Sequence, residues 1–269
     1  MIIGNRTFDS GKTYVMGILN VTPDSFSDGG SYTSPDKALF RAEEMIKEGA
    51  AIIDVGGEST RPGYTQISDD EEISRAVPVI RAIKERFDVP VSVDTYKGAV
   101  ARAAFEAGAD LLNDIWGLKY DNDCAKAAAS RGAAVCLMHN RENAEYNDFL
   151  SDVLNDLRVS ISIAKSAGIS DDRIILDPGV GFAKTLEQNL YITKNLHKLK
   201  ELGYPVLLGA SRKSMIGLTL GLPKDERLEG TIASSVIACL QGAMFVRVHD
   251  IKENARAIRM TEAIMHSKI

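Results

Sequence analysis

The sequence predicts a (β/α)8 barrel, and three observations carry that prediction. Eight short runs are nearly all apolar, as expected of parallel strands buried on both faces. Stretches with helical periodicity separate them throughout. A glycine repeatedly closes the helical stretch before the next run, at Gly49, Gly108, Gly132, Gly168, Gly203 and Gly242. A doubly wound open sheet is the main rival, but eight such units in 269 residues fit the barrel. No linker, low-complexity tract or composition break divides the chain, so residues 1–269 are expected to form one domain.

Residues 1–13 read as a short β excursion with a turn at Ser10-Gly11-Lys12. Strands are expected at 14–20, 51–56, 91–94, 110–114, 134–139, 173–177, 205–209 and 244–249. Helix starts are marked too. Ser34-Pro35 places a proline in a first turn. Ser68-x-x-Glu71 and Thr185-x-x-Gln188 have the form of capping boxes.

Composition narrows the function. Apolar residues make up 45% of the chain and charged ones 26%, ordinary values for a soluble globular protein. The net charge of −5 argues against nucleic acid or an anionic membrane as the main partner. Cys124, Cys136 and Cys239 are odd in number and widely spaced, which fits reduced thiols. No signal peptide and no membrane-spanning run is seen, so a cytoplasmic protein is expected.

The strand ends point to chemistry. In order they carry Asn20, Glu58, Asp94, Asn113-Asp114, His139, Asp177, Ser211-Arg212-Lys213, and Arg247 with His249. Each alone can cap a helix. Together they gather on the barrel face where such folds keep their sites. The stretch 207–217 stands out, because it delivers Arg212, Lys213, Ser211 and Ser214 as a new helix begins.

Three groups follow. Asp94, Asn113 and Asp177 can read the edge of a ring that bears an amino group and an N–H, and Lys213 can reach a ring carbonyl. A metal site built on Asp94 and Asp177 is the competing reading, but no further His or carboxylate completes a coordination set. Arg61, Arg247 and His249 suit a phosphate or diphosphate, and Asn20 is placed to meet a Mg2+ that otherwise keeps waters and phosphate oxygens. The Gly- and Ser-rich loop 20–30 has the character of a lid, with Phe26 and Pro62 placed to wall an aromatic co-substrate.

These residues lie in longer motifs. Asn20-Val21-Thr22-Pro23-Asp24-Ser25-Phe26-Ser27-Asp28-Gly29-Gly30, Asp54-Val55-Gly56-Gly57-Glu58-Ser59-Thr60-Arg61-Pro62-Gly63, Asp177-Pro178-Gly179-Val180-Gly181-Phe182-Ala183-Lys184, Gly209-Ala210-Ser211-Arg212-Lys213-Ser214 and Arg247-Val248-His249-Asp250 resemble the dihydropteroate synthases of bacterial folate synthesis. The resemblance runs from the first strand to the C-terminus. It implies a homodimeric (β/α)8 transferase that joins 6-hydroxymethyl-7,8-dihydropterin diphosphate to p-aminobenzoate. By it, Asp94, Asn113, Ile115, Met138, Asp177, Phe182 and Lys213 hold the pterin. Thr60, Arg61, Arg247 and His249 hold the diphosphate, and Asn20 meets Mg2+. Phe26, Pro62, Lys213 and Ser214 surround p-aminobenzoate, and Asp28 faces a developing cation. Two stretches depart from the family pattern, Tyr96-Lys97 and Asn140-Arg141-Glu142-Asn143.

Three alternatives stay open on the sequence. A corrinoid-dependent methyltransferase shares the acidic pocket but expels no diphosphate. An aldolase-type barrel makes Lys213 a Schiff-base lysine, which requires a depressed pKa; its place at a loop end beside Arg212 argues against that. A barrel that binds pterin without turnover leaves Asp28, Arg61 and Lys213 without a task. Ile232, Val236, Ile237 and Leu240 either pack a dimer or cover the barrel.

Overall fold

A computed structural model describes residues 1–22, 34–59 and 65–268. An antiparallel hairpin, β1 (Ile2–Ile3) and β2 (Arg6–Thr7), opens the chain and reverses at Gly4, whose φ is 59°. The barrel strands follow: β3 (Tyr14–Asn20), β4 (Ala50–Gly56), β5 (Val91–Asp94), β6 (Leu111–Asp114), β7 (Ala134–Met138), β8 (Ile174–Asp177), β9 (Leu207–Leu208) and β10 (Phe245–Val248). Between and after them lie α1 (Ser34–Glu48), α2 (Asp69–Arg86), α3 (Gly98–Glu106), α4 (Asn122–Ser130), α5 (Phe149–Ser166), α6 (Leu186–Lys194), α7 (Ser214–Leu220), α8 (Leu228–Leu240) and α9 (Ile251–Met265).

All ladders of the large sheet are parallel, in the order β8-β7-β6-β5-β4-β3-β10-β9. The ring closes where Leu176 of β8 bridges Val206, one residue before β9. The Leu176 N–H donates to Pro205 O at 2.9 Å at the same joint. The eighth-strand pairing of β10 with β3 makes this a barrel and removes the open-sheet alternative. The seventh strand is shorter than its apolar run suggests. Regular pairing spans Leu207–Leu208, because the chain then turns at Gly209 to build the pocket.

Local rules place the helices. All six glycines named as helix stops have positive φ, between 58° and 111°. Thr185 and Gln188 form a complete capping box on α6. Ser68 caps α2 through the Glu71 N–H at 3.2 Å, but the Glu71 carboxylate turns to Arg75 instead of closing the box.

Strand alternation divides the barrel radially. Val15, Val55, Val93, Leu112, Val135, Leu176, Leu208 and Val246 join the main core cluster with the helices. Their neighbours in sequence point into the barrel. At its N-terminal end these are Met16, Ile52, Leu111, Ala134, Cys136, Ile175, Leu207 and Phe245. Ile3 and Phe8 from the hairpin segment close that end, with Phe8 edge-on to Tyr14 at 4.9 Å and to Phe245 at 5.3 Å. α8 reverses the usual pattern. Thr231, Ser234, Ser235, Ala238 and Cys239 are buried, while Ile237 and Leu240 are 41% and 55% exposed. Small residues let α8 sit close to the barrel, and its large aliphatic side chains face outward.

Candidate active site

The inward positions that are apolar at one end of the barrel become polar at the other. Two residues beyond Ile52, Leu111, Ile175 and Phe245 stand Asp54, Asn113, Asp177 and Arg247. A cavity of about 920 Å³ opens at this end. Asn20, Asp94, Asn113, Asp177, Lys213, Ser214, Arg247 and His249 line it, with Ile115, Met138 and Phe182. Each of these sequence-predicted residues that lies among the described ones is therefore in one cavity. Phe26, Asp28, Thr60, Arg61 and Pro62 lie outside the described residues.

The floor is an ion-pair cluster. Arg247 Nε donates to Asp54 Oδ2 at 2.6 Å, and its Nη2 donates to Asp94 Oδ2 at 2.5 Å. Asn113 Nδ2 donates to the same Asp54 oxygen at 3.2 Å. Burial works against the Arg247 charge, but Asp54 and Asp94 more than offset it, so the guanidinium stays charged. Burial pushes the Asp94 carboxyl up to about 7 against the pull of Arg247. Oδ1 of Asp94 and Oδ1 of Asp54 are buried without a hydrogen-bond partner among the described residues. An unmet buried acceptor is costly, and at a cavity it marks where a ligand donor belongs.

One wall joins Asp177 to Lys213. Burial pushes the Asp177 carboxyl above its ordinary value, with Lys213 opposing, and its Oδ1 accepts the Gly179 N–H at 2.7 Å. Lys213 Nζ donates to Val180 O and stands 4.8 Å from the Phe182 ring centroid. Burial pushes the Lys213 ammonium down to about 8, with Asp177 holding it up. This corrects the sequence-based argument that a loop-end lysine keeps an ordinary pKa. A proton remains on most of the population at pH 7, because the group still titrates above neutrality. Gly209 lies against this pair: a Cβ there would stand in ordinary contact, 3.5 Å from Asp177 Oδ2 and 3.9 Å from Lys213 Nζ.

His249 is tuned by its neighbours. Ser211 Oγ accepts the His249 backbone N–H at 3.2 Å and lies 3.0 Å from its Nδ1. Burial, then Arg247 and Arg212, push this imidazole down to about 3, so it is a neutral donor. Arg212 lines the cavity with Lys213, as its sequence position suggests, but its guanidinium is paired with Asp250. Its backbone is left-handed at φ 56°, and Nε donates to Asp250 Oδ2 at 3.0 Å.

Strand parity also sorts the remaining strand ends. Asp114 and His139 each follow an inward residue, so they point away from the cavity. Asp114 caps the next turn through the N–H groups of Trp116 at 2.7 Å and Leu118 at 2.9 Å. His139 is fully buried beside Asp156 and Lys184. Glu58 reaches the cavity edge, but its Oε2 accepts Lys97 Nζ at 2.7 Å and the Ile67 N–H at 2.8 Å. The Lys97 of the divergent Tyr96-Lys97 pair is 4% exposed and also meets Glu72 at 2.8 Å. Asp54 is the floor residue that sequence reasoning missed. Its inward register two residues after Ile52 was the available signal.

The sequence pattern of the family described as pterin binding enzyme matches residues 16–249. A dihydropteroate synthase of Clostridium beijerinckii is 61% identical over 267 residues, which is 98% of this chain and 99% of that protein. The structure of dihydropteroate synthase from Clostridium difficile in the presence of pteroic acid superposes with a TM-score of 0.94 at 49% identity, covering 97% of this chain and 100% of that one. That of Xanthomonas albilineans with 4-aminobenzoic acid gives 0.91 at 40% identity, covering 96% and 94%. The acidic floor, the Asp177–Lys213 wall and these relationships lead to one assignment: the chain belongs to the dihydropteroate synthases of the pterin-binding enzyme family, which are transferases.

Proposed function

We propose that this cavity joins the methylene of 6-hydroxymethyl-7,8-dihydropterin diphosphate to the amine of p-aminobenzoate, giving 7,8-dihydropteroate and diphosphate for folate synthesis. The observation that carries this reading is the buried Asp94, with one oxygen unpartnered, sharing a cavity with Asn113, Asp177 and Lys213. Asp94 and Asp177 accept the amino and N–H groups of the pterin edge, Asn113 supplies its amide, and Lys213 donates to the ring carbonyl. Ile115, Met138 and Phe182 supply flat apolar contact. Arg247 and neutral His249 donate to the diphosphate, together with Thr60 and Arg61. Phe26, Pro62, Lys213 and Ser214 surround p-aminobenzoate. The roles at positions 26, 28 and 60–62 rest on the sequence resemblance.

Asn20, which lines the cavity, would hold Mg2+ through its amide oxygen. Asn20 Oδ1 lies 3.7 Å from where a Cβ would sit on Gly56, the same distance as Asp94 Oδ2. A single neutral amide oxygen suits a hydrated ion whose other ligands come from the diphosphate. Bound there, the ion supplies countercharge to the leaving group. The C–O bond to the diphosphate breaks first, and its electron pair departs with the oxygen toward Arg247 and His249. The methylene cation spreads into the pterin ring, where Asp28 opposes it. The aniline lone pair then forms the new C–N bond, and the nitrogen loses its proton to solvent water. The site contributes orientation and charge stabilisation, with no covalent enzyme intermediate.

The outward aliphatics of α8, with Leu218 and Leu220 exposed on α7, support a homodimer through this face. Ile237→Glu with Leu240→Glu is expected to halve the mass seen by light scattering. Among the described residues no helix is long and apolar enough to cross a membrane, and we place the protein in the cytoplasm. The direct test is to mix the protein with the pterin diphosphate, Mg2+ and p-aminobenzoate. Dihydropteroate and diphosphate must appear in equal amounts. A pterin–protein adduct on the normal path, or diphosphate release that requires p-aminobenzoate to be bound, contradicts the scheme.

A further inference from the structure

Behind the Asp177 wall lies a half-buried ammonium with no part in the scheme above. The chain from 178 to 184 turns back on itself around the Lys184 ammonium, which donates to Gly179 O at 3.1 Å, Phe182 O at 3.1 Å and His139 Nδ1 at 2.8 Å. His139 in turn faces Asp156 Oδ2 at 3.0 Å through Nε2, and that same oxygen accepts Arg141 Nε at 2.6 Å. Three donors thus meet three acceptors, all partly shielded from solvent. The loop depends on this centre. Gly179 and Gly181 have φ of 69° and 84°, and Ala183 sits at 43°, a conformation an alanine adopts only when its surroundings impose it. A Cβ on Gly179 would fall 1.9 Å from His139 O, so the loop is drawn against the end of β7 as tightly as backbone allows. Tyr146 OH closes the outer side by donating to Ala183 O at 2.9 Å.

We propose that Lys184 is a positioning residue for pterin recognition: its ammonium fastens the loop after β8, so that Phe182 walls the cavity, and it stands as a cation behind Asp177. The proposal rests on the pterin reading of the cavity. Both halves have separate support. Phe182 O is one of the three acceptors, and the Phe182 ring is the surface beside which Lys213 Nζ lies. Lys184 is among the charges that pull the Asp177 carboxyl down, after Lys213 and Arg247. The groups around Asp177 are Lys213, Arg247, Lys184 and the Gly179 N–H, with the Cys136 thiol on the neighbouring strand. Around Lys184 itself are His139, Asp177, Lys213, Lys119 and Arg141. Burial holds its ammonium down to about 7 and His139 down to about 3, so the imidazole is a neutral acceptor for Lys184.

The test measures pteroic acid binding from pH 5 to 9 in the wild type, Lys184→Met and Lys184→Gln, with melting curves as a check of folding. Loss of a cation behind Asp177 raises the pKa of that carboxyl, so binding is lost at a higher pH on the acid side. For Lys184→Met the expected result is about tenfold weaker binding at pH 8, from loss of the hydrogen bonds that hold the loop. Its acid midpoint should also lie about half a pH unit or more above that of the wild type, with the KM for p-aminobenzoate within threefold. Lys184→Gln keeps donors without charge, so its midpoint rises by the same amount while affinity at pH 8 falls less. If Lys184→Met does not fold, the midpoint of Lys184→Gln decides. An unmoved midpoint in a folded variant, or equal losses toward pteroic acid and p-aminobenzoate, overturns the proposal. Absence of pteroic acid binding in the wild type overturns the pterin reading instead.

Discussion

The two ends of the barrel interior are built by the same strands on the same face, and they obey opposite rules. At the N-terminal end Phe8, Met16, Ile52, Leu111 and Phe245 bury hydrocarbon and leave nothing polar. Two residues further along, Asp54, Asn113, Asp177 and Arg247 bury charge and leave acceptors unmet. The first arrangement is what folding favours. The second costs stability and is kept together by ion pairing, which repays desolvation poorly. One end holds the barrel; the other is held by it.

Substitutions sharpen this contrast. The largest effect is expected from Arg247→Ala, with kcat/KM for the diphosphate substrate reduced about a thousandfold. Binding of a bare pterin should fall only about tenfold, and equal losses in both assays would contradict a diphosphate role. Phe245→Ala at the closed end is expected to cost about 3–5 kcal/mol in denaturant unfolding, while the folded fraction turns over at the normal rate. A comparable loss of kcat would erase the division between the two ends. Asp94→Asn should lose activity yet gain about 1 kcal/mol of stability at pH 8. The sign follows from burial, which raises the folded pKa of Asp94 to about 7, above its unfolded value. The wild type should therefore grow more stable as pH falls from 7 toward 4 through this group, and Asp94→Asn should lose that slope. The smallest effect, about 1 kcal/mol, is expected from Thr185→Ala, which removes the α6 cap.

Sequence rules read the two ends unequally. The strands were legible because parallel strands under helices must be apolar on both faces, and Gly49, Gly108 and Gly242 mark helix stops that only positive φ satisfies. Asp94, Asn113, Asp177 and Lys213 were legible from strand-end position. Asp54 was not, because it lies one layer below the rim and its partner Arg247 is 193 residues away. The directions of the Arg212 and His139 side chains were not legible for a related reason. Their direction is set by a left-handed residue in one case and by strand parity in the other. Lys184 and Lys97 stand in loops where no period applies, and tertiary contacts alone choose their acceptors.

The joint between β8 and β9 has a further meaning. There the wall narrows to the Leu176–Val206 bridge, directly below Asp177 and beside the turn to Lys213. Opening at that seam would part the acid from the lysine and leave the pairs of Arg247 with Asp54 and Asp94 intact. Deuterium should accordingly enter the Leu176 amide sooner than amides of the β3–β4 ladder.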